Sequence, residues 1–271
     1  MEATRHFNIL NDIAQDLSGD VNFPTCMDAA MLVRNTLRDP EVDIERVTQA
    51  IGMEPLIASK LLRLANSVVY NPSGNTIHAL SSAITRLGFD VVRTASLAVA
   101  LDQMLKTKAL TDHADLAREI WQKAVQVAAI ARVLARRLGR LKPDEAMMAG
   151  LVHNIGAFYL LYRLPDYPEY ANDVAAIRDL LATCHTDIGE SLLHHLGLPT
   201  AIVDAVRDQN HPCTSDSPCS IRDVLYFATL LADDSPDTAS INEERRADRE
   251  RYHDLLDEAE EAINELNSLL A

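Results

Sequence analysis

The sequence predicts an all-α protein: an N-terminal helical bundle packed on a second helical core, followed by a C-terminal amphipathic helix. Three observations carry this. Apolar residues recur at spacings of three and four almost throughout, the period of helices that bury one face. Strict alternation of apolar and polar residues, which would mark half-buried strands, is absent. Helix-ending punctuation returns at short intervals, at "NPSGN" (71–75), "LGFD" (87–90), "RLGRLKPDE" (137–145), "RLPDYPEY" (163–170), "HLGLPT" (195–200) and "NHPCTSDSPCS" (210–220). This spacing predicts about a dozen helices of roughly ten to twenty residues joined by short loops.

Residues 1–110 form the first region, of short helices. In "DIERVTQAIGMEPLIASKLLRLAN" one stripe holds Ile44, Val47 and Ile51, and a second holds Leu56, Ile57, Lys60, Leu61 and Leu64; Gly52 and Pro55 divide them into two helices. Asn66 and Ser67 end the second helix with side chains able to bond nearby backbone, and Asn66 is predicted to be substantially buried with its amide satisfied by backbone. Ser81 or Ser82 is the expected N-cap of a helix carrying Ala83, Ile84 and Leu87, with Gly88 just past its end.

Residues 111–233 form the second region, with longer helices and most of the histidines. Trp121 is expected to anchor its core. The basic cluster "ARVLARRLGRLKP", with Arg132, Arg136, Arg137, Arg140 and Lys142, complements the negative end of a helix finishing near Gly139, or else meets a small anion or a partner. Residues 234–271 are the third region: "DDSPDTASINEE" reads as a linker before a helix over about 241–270. Tyr252, Leu255, Ala259, Ala262, Leu266 and Leu269 give that helix one apolar stripe. Arg245, Arg246, Arg249 and Arg251 precede the acids of Asp254–Glu265, an order that opposes the helix dipole, so packing of the stripe has to hold the helix. It docks on its own domain, on a second copy as a homodimer, or on a partner protein.

Composition narrows the function classes. The chain has 271 residues, 48% of them hydrophobic, enough for a core without covalent staples. Its four cysteines, Cys26, Cys184, Cys213 and Cys219, include no CxxC pair, which suits a reducing compartment. There is no signal-peptide core and no apolar run near the ~20 residues of a membrane span, so a soluble, cytoplasmic protein without membrane contacts is expected. The net charge of −15 would repel a phosphate backbone, which argues against nucleic acid as a partner.

"AGLVHNIGAFYLL" (149–161) sets the chemical question. His153-Asn154 inside an apolar helix is one residue away from the His-Asp pair of a metal-dependent phosphohydrolase. The stretches "FPTCMDAAMLVRNTLRDPEVDIERVTQAIGMEPLIASKLLRLANSVVYN" and "SSAITRLGFDVVRTASLAVAL" strongly resemble the HDOD family of bacterial signalling domains. "AMMAGLVHNIGAFYLLYRLPDYP" and "CHTDIGESLLHHLGLPTAIVDAVRDQNHP" resemble its second half, so the resemblance runs from about residue 20 to 233. It implies an HD-like helical core for residues 111–233 and kinship with HD-superfamily phosphohydrolases, but typically an incomplete set of metal ligands. Laid over the HD ligand pattern without gaps, the first histidine position falls on Lys123 and the His-Asp pair becomes His153-Asn154. The additional histidines match His185 and His211, and the late aspartate falls at Thr229. Three imidazoles survive and two carboxylates do not.

An ammonium ~5 Å from a divalent ion, at an effective dielectric of ~20, is repelled by roughly 6–7 kcal/mol, less if Lys123 swings away. Neutral imidazoles alone still suit zinc, but a two-metal hydrolytic centre is not expected, nor any cofactor. A Cys-His set from Cys184, His185, His211, Cys213 and Cys219 has a spacing that fits no familiar zinc module. The expectation is a non-catalytic regulatory module acting on a separate signalling protein, with a ligand pocket in an interdomain groove lined by His153, Asn154, His185 and His211 and flanked by Lys123. Two alternatives remain: a degenerate phosphohydrolase, and a cyclic-dinucleotide receptor without hydrolysis in which Arg63, Arg86 and Arg93 meet phosphate.

Overall fold

The structure is a computed structural model that describes residues 9–16, 27–171, 173–213, 217–233 and 250–270. Those residues are helical or looped and contain no strand. The chain divides into two compact units, Phe23–Lys106 with Glu261–Ala271, and Met1–Asn22 with Thr107–Glu260.

The unit of Phe23–Lys106 holds α2 (Asp28–Thr36), α3 (Ile44–Gly52), α4 (Pro55–Ala65) and α5 (Leu80–Leu105). The Asp43 carboxylate accepts the Arg46 N–H at 2.8 Å and starts α3, an N-cap. Pro55 opens α4, where its missing N–H costs nothing. Most of both apolar stripes is buried, with Val47, Ile51, Leu61, Ile84 and Val92 in one core and Lys60 buried beside them, while Ile44 and Leu56, in the first turns of their helices, are exposed. α5 bends at Gly88, whose φ of 76° and ψ of 161° no L residue adopts readily. Its N-cap is Ala79, not Ser81 or Ser82, which lie inside the helix. The cause lies upstream: Asn66 Nδ2 donates to the Ile77 carbonyl at 2.8 Å and Asn66 Oδ1 accepts the Ile77 N–H at 2.8 Å. That two-way bond holds the chain extended up to Ala79, so the helix starts there. Asn66 is half-buried, and a further bond to the Leu62 carbonyl at 2.9 Å completes its amide.

The unit of Thr107–Glu260 holds α6 (Ala114–Leu138), α7 (Pro143–Val152), α8 (Ile155–Arg163), α9 (Val174–His195), α10 (Thr200–Arg207) and α11 (Ile221–Leu231). Residues 9–16 are helical, α1, and pack here: Ile9 and Ile13 are buried, Asp12 accepts the Tyr167 hydroxyl at 2.7 Å, and Asp16 pairs with Arg163. α6 stops at Gly139, in the left-handed conformation at φ 69°. Two glycines let neighbouring helices close in. A Cβ on Gly150 would stand 2.5 Å from the Ala128 Cα of α6, and one on Gly156 would stand 2.0 Å from the His185 carbonyl oxygen of α9. Trp121 is buried and meets Phe158 edge-on, with ring centroids 6.1 Å apart.

The expected helix over 241–270 is interrupted at 252–254. Residues 241–249 lie outside the described residues, 252–254 form a turn, and α12 runs Leu255–Leu270. With this start Asp257 and Glu258 fall in its first turn, where acids favour the dipole; the predicted conflict came from placing the helix start too early. Leu255, Ala259 and Leu266 of the stripe are buried, and Tyr252 meets Phe227 edge-on at 5.0 Å. The basic cluster finds acids of its own chain: Arg137 bonds Asp254 at 2.7 Å, Arg136 pairs with Glu258, and Arg132 lies 3.5 Å from Asp144. No helix among the described residues is long and apolar enough to cross a membrane.

Candidate functional site

His153 caps the C-terminal end of α7 and Asn154 is the N-cap of α8. The Gly150 and Gly156 contacts therefore fix the junction that carries them. His153 is 2% exposed, and its Nδ1 lies 2.6 Å from the Gly150 carbonyl oxygen. A carbonyl only accepts, so this partner assigns the proton to Nδ1 and leaves a lone pair on Nε2. Burial pushes the imidazole down to about 3, against the Gly150 bond, and the charges of His185 and Lys123 push the same way as burial.

His185 repeats the pattern on α9. Its Nδ1 stands 2.8 Å from the Leu181 carbonyl oxygen, it is half-buried, and burial lowers its pKa. Two neutral imidazoles thus keep Nε2 unprotonated. Histidine ligands of metals are commonly held in this way; so are histidines that bond back along their own helix.

The other expected members differ. Lys123, on α6, lies 3.7 Å from Asp233, two residues past α11. The Asn154 carbonyl accepts the Ala157 and Phe158 N–H groups at 2.9 and 3.2 Å, while its side chain makes no capping bond. Thr229 turns its hydroxyl to the Tyr226 carbonyl at 2.9 Å. His211 is exposed, 3.9 Å from an Asp208 oxygen. Among the described residues, no group of three or more His, Cys, Asp or Glu is placed to hold a metal ion. The donor set left to a metal near His153 is two imidazoles and an uncharged amide, with an ammonium nearby. This does not fit a hydrolytic metal pair, which needs carboxylates to offset its charge.

Lys123, His153, Asn154, His185 and His211 all belong to the Thr107–Glu260 unit, and the three arginines belong to the other. Arg63 is exposed in the last turn of α4, and Arg93 bonds Asp90 on its own helix at 3.1 Å. Arg86 is half-buried with its Nη1 shut off from solvent and without a hydrogen-bond partner among the described residues.

Three residues near these positions escaped the sequence reading. Gln209 is buried and donates to the His153 carbonyl at 3.2 Å, tying the segment after α10 to the α7–α8 junction. Asp233 is the carboxylate that Lys123 meets. Asp223 is buried at the start of α11, where burial would raise its pKa. Bonds from the Cys219 N–H (3.0 Å), the Arg222 guanidinium (2.9 Å) and the Ser220 N–H (3.1 Å) outweigh that and hold the carboxyl well below the usual range. Cys219 also donates its S–H to Asp223 at 3.3 Å. The Ser220-x-x-Asp223 spacing is a capping-box signature and was readable in "PCSIRDV"; the other two contacts carry no local signal.

Comparisons with known proteins agree with this architecture. Residues 23–212 match the HDOD domain family. A Shewanella amazonensis SB2B protein provisionally named a metal-dependent phosphohydrolase superimposes with a TM-score of 0.77 at 21% identity, over 99% of this chain and 100% of that one. An HDOD domain protein of unknown function from Geobacter sulfurreducens gives 0.58 at 20%, over 97% and 98%. A Marinobacter aquaeolei VT8 protein provisionally named a signal transduction protein gives 0.61 at 21%, over 99% of this chain and 65% of that one. No curated protein matches in sequence.

Proposed function

The chain belongs to the HDOD domain family, and from that premise we propose that it is a non-catalytic regulatory module of bacterial signal transduction, acting in the cytoplasm through contacts with a partner protein. The observation that carries this reading is the Lys123–Asp233 ion pair at 3.7 Å. Where the family resemblance puts a histidine ligand, the chain has an ammonium that reaches His153 electrostatically and has its own carboxylate partner. Asn154 adds no charge to compensate. The remaining imidazoles are kept neutral by burial and fixed in one tautomer by helix carbonyls, which supports a packing role for them.

Full-length protein purified without chelator, analysed for metals and assayed on cyclic dinucleotides with added manganese or iron, tests this reading. The expected result is no turnover. Turnover abolished by His153→Ala overturns it and installs the degenerate phosphohydrolase in its place.

The sealed Arg86 Nη1 favours a second reading, a receptor that binds a cyclic dinucleotide without hydrolysis. A guanidinium nitrogen withdrawn from water is costly without an acceptor, and a phosphate would supply one. Calorimetric titration with the dinucleotide, repeated on Arg86→Ala, separates this from the first reading.

A further inference from the structure

Among the described residues, Lys60 is the only lysine or arginine that folding buries. It is 8% exposed and shares the buried face of α4 with Ile57, Leu61 and Leu64. Its ammonium makes no hydrogen bond and no ion pair among the described residues. Unlike the Arg86 Nη1, it is not shut off from solvent. A lysine whose stem runs along apolar surface ordinarily places its head in open water or against a carboxylate. Lys60 has further cations for neighbours.

Arg63 follows one turn along α4, and Asp102 and Lys106 stand one turn apart at the end of α5; the charges of all three reach Lys60. Burial lowers the Lys60 pKa, the charges of Arg63 and Lys106 lower it further, and that of Asp102 opposes them. Asp102 is already engaged, because its carboxylate takes the Lys106 ammonium at 2.7 Å. Arg63, exposed in the last turn of α4, makes no hydrogen bond or ion pair among the described residues. The carbonyl ends of the two helices offset part of the charge on Arg63 and Lys106. That effect fades within one turn, and Lys60 lies further than that from the end of α4. Three cations therefore share one carboxylate around a buried amine, and Lys60 and Arg63 keep all their donors unused. An anion between them bonds both sets of donors and offsets their mutual repulsion.

We propose that Lys60, Arg63 and Lys106 form a binding site for the phosphoryl end of a small phosphomonoester. All three belong to the Phe23–Lys106 unit, so the site is complete within it. A phosphoryl group brings three acceptor oxygens and a charge of about −1.5 to −2 at neutral pH, one oxygen for each cation. A carboxylate has two oxygens in one plane, and a phosphodiester carries a single charge per phosphate, so both match the three cations less well. A lysine only 8% exposed is reached by the end of a small ligand and not by the broad surface of a macromolecule. The site gives the chain a small-molecule input; it goes beyond the regulatory reading and does not rest on it.

Calorimetric titration of the full-length chain with inorganic phosphate and with glycerol 3-phosphate, at constant ionic strength in chloride, tests the site. Both should bind saturably. Lys60→Met keeps the buried stem and removes the charge, and should weaken binding by about tenfold or more. Arg63→Gln, on the surface, should weaken it by about threefold or more. Asp102→Asn removes the competing carboxylate and releases Lys106, so it should tighten binding by about threefold or more. A gain of affinity cannot come from a misfolded chain. Absence of saturable binding by the wild type, or no gain from Asp102→Asn, overturns the proposal. Binding that Lys60→Met and Arg63→Gln leave unchanged also overturns it, leaving an adventitious ion only. A cyclic dinucleotide that binds through Lys60 while glycerol 3-phosphate does not overturns the ligand class. Failure of this site leaves the regulatory reading standing, and cyclic-dinucleotide hydrolysis would overturn that reading whatever phosphate does.

Discussion

His153 Nδ1 lies 2.6 Å from the carbonyl oxygen of Gly150, three residues earlier on the same helix. The bond locks the ring in one tautomer, and the absence of a side chain at Gly150 lets the α6 backbone approach α7 at Ala128.

The first prediction follows from that burial. His153 titrates at about 3 in the fold against an ordinary 6.5, so below pH 6.5 the unfolded chain takes up a proton that the folded chain refuses. The stability this protects is complete above pH 6.5 and is lost as pH falls toward 3, at up to about 1.4 kcal/mol per pH unit. Between pH 6.5 and 5 most carboxylates stay ionised, so the histidines dominate that window, with His185 shifted in the same direction. Urea midpoints of the wild type should fall across it, and those of His153→Gln should fall less. Equal slopes would mean that the buried imidazole is not the cause.

Asn66→Ala should destabilise the first unit by about 1–3 kcal/mol. The change strands the N–H and carbonyl of Ile77, which now bond the amide, while the Leu62 carbonyl keeps the backbone N–H of residue 66. Asn66→Asp keeps the acceptor for the Ile77 N–H but turns a carboxylate oxygen toward the Leu62 and Ile77 carbonyls, so it should cost at least as much as alanine. Chemical denaturation of the three proteins checks the order, and an alanine variant as stable as the wild type would remove the role given to this bridge.

The two kinds of glycine should respond in opposite directions. A Cβ at Gly156 would meet the His185 carbonyl at 2.0 Å, so Gly156→Ala has to push α8 and α9 apart, at a cost of about 3 kcal/mol or more. A Cβ at Gly52, the last residue of α3, meets nothing within 4 Å. Gly52→Ala should leave stability unchanged or raise it by up to about 1 kcal/mol. Thermal melts of the two variants suffice, and a tolerated Gly156→Ala would mean that the helices are not in contact as described.

These residues also show what could be read ahead of the structure. Helix breaks are local, so Gly52–Pro55, the bend at Gly88 and the stop at Gly139 were legible, as was Trp121 as a buried anchor. The start of α5 was not, because it depends on Asn66 holding Ile77 eleven residues away. The basic cluster looked like compensation for a helix end because the partners of Arg136 and Arg137 lie 122 and 117 residues further along. Matching ligand positions one by one predicted three imidazoles in one place. His185 acts on His153 electrostatically, whereas His211 is exposed beside Asp208; spacing along a chain says nothing of whether a loop residue turns inward.

Lys123 and Asn154 stand where the family resemblance implies metal ligands. Asn154→Asp adds a carboxylate next to His153, and Lys123→His replaces the nearby ammonium with an imidazole at the position matched to a ligand. If the fold still holds the backbone of a metal site, the double variant gains charge compensation and a ligand and loses a repulsive neighbour. Zinc should then bind at least about tenfold more tightly than to the wild type, since relief of only ~1.4 kcal/mol of repulsion accounts for that factor. Each single variant should gain less, because Asn154→Asp keeps the ammonium and Lys123→His adds no carboxylate. Calorimetric titration of zinc into the four proteins reads this directly. If the double variant bound zinc no better than the wild type, the ligand positions themselves would have moved apart, and the two substitutions would be a consequence of that loss rather than its cause.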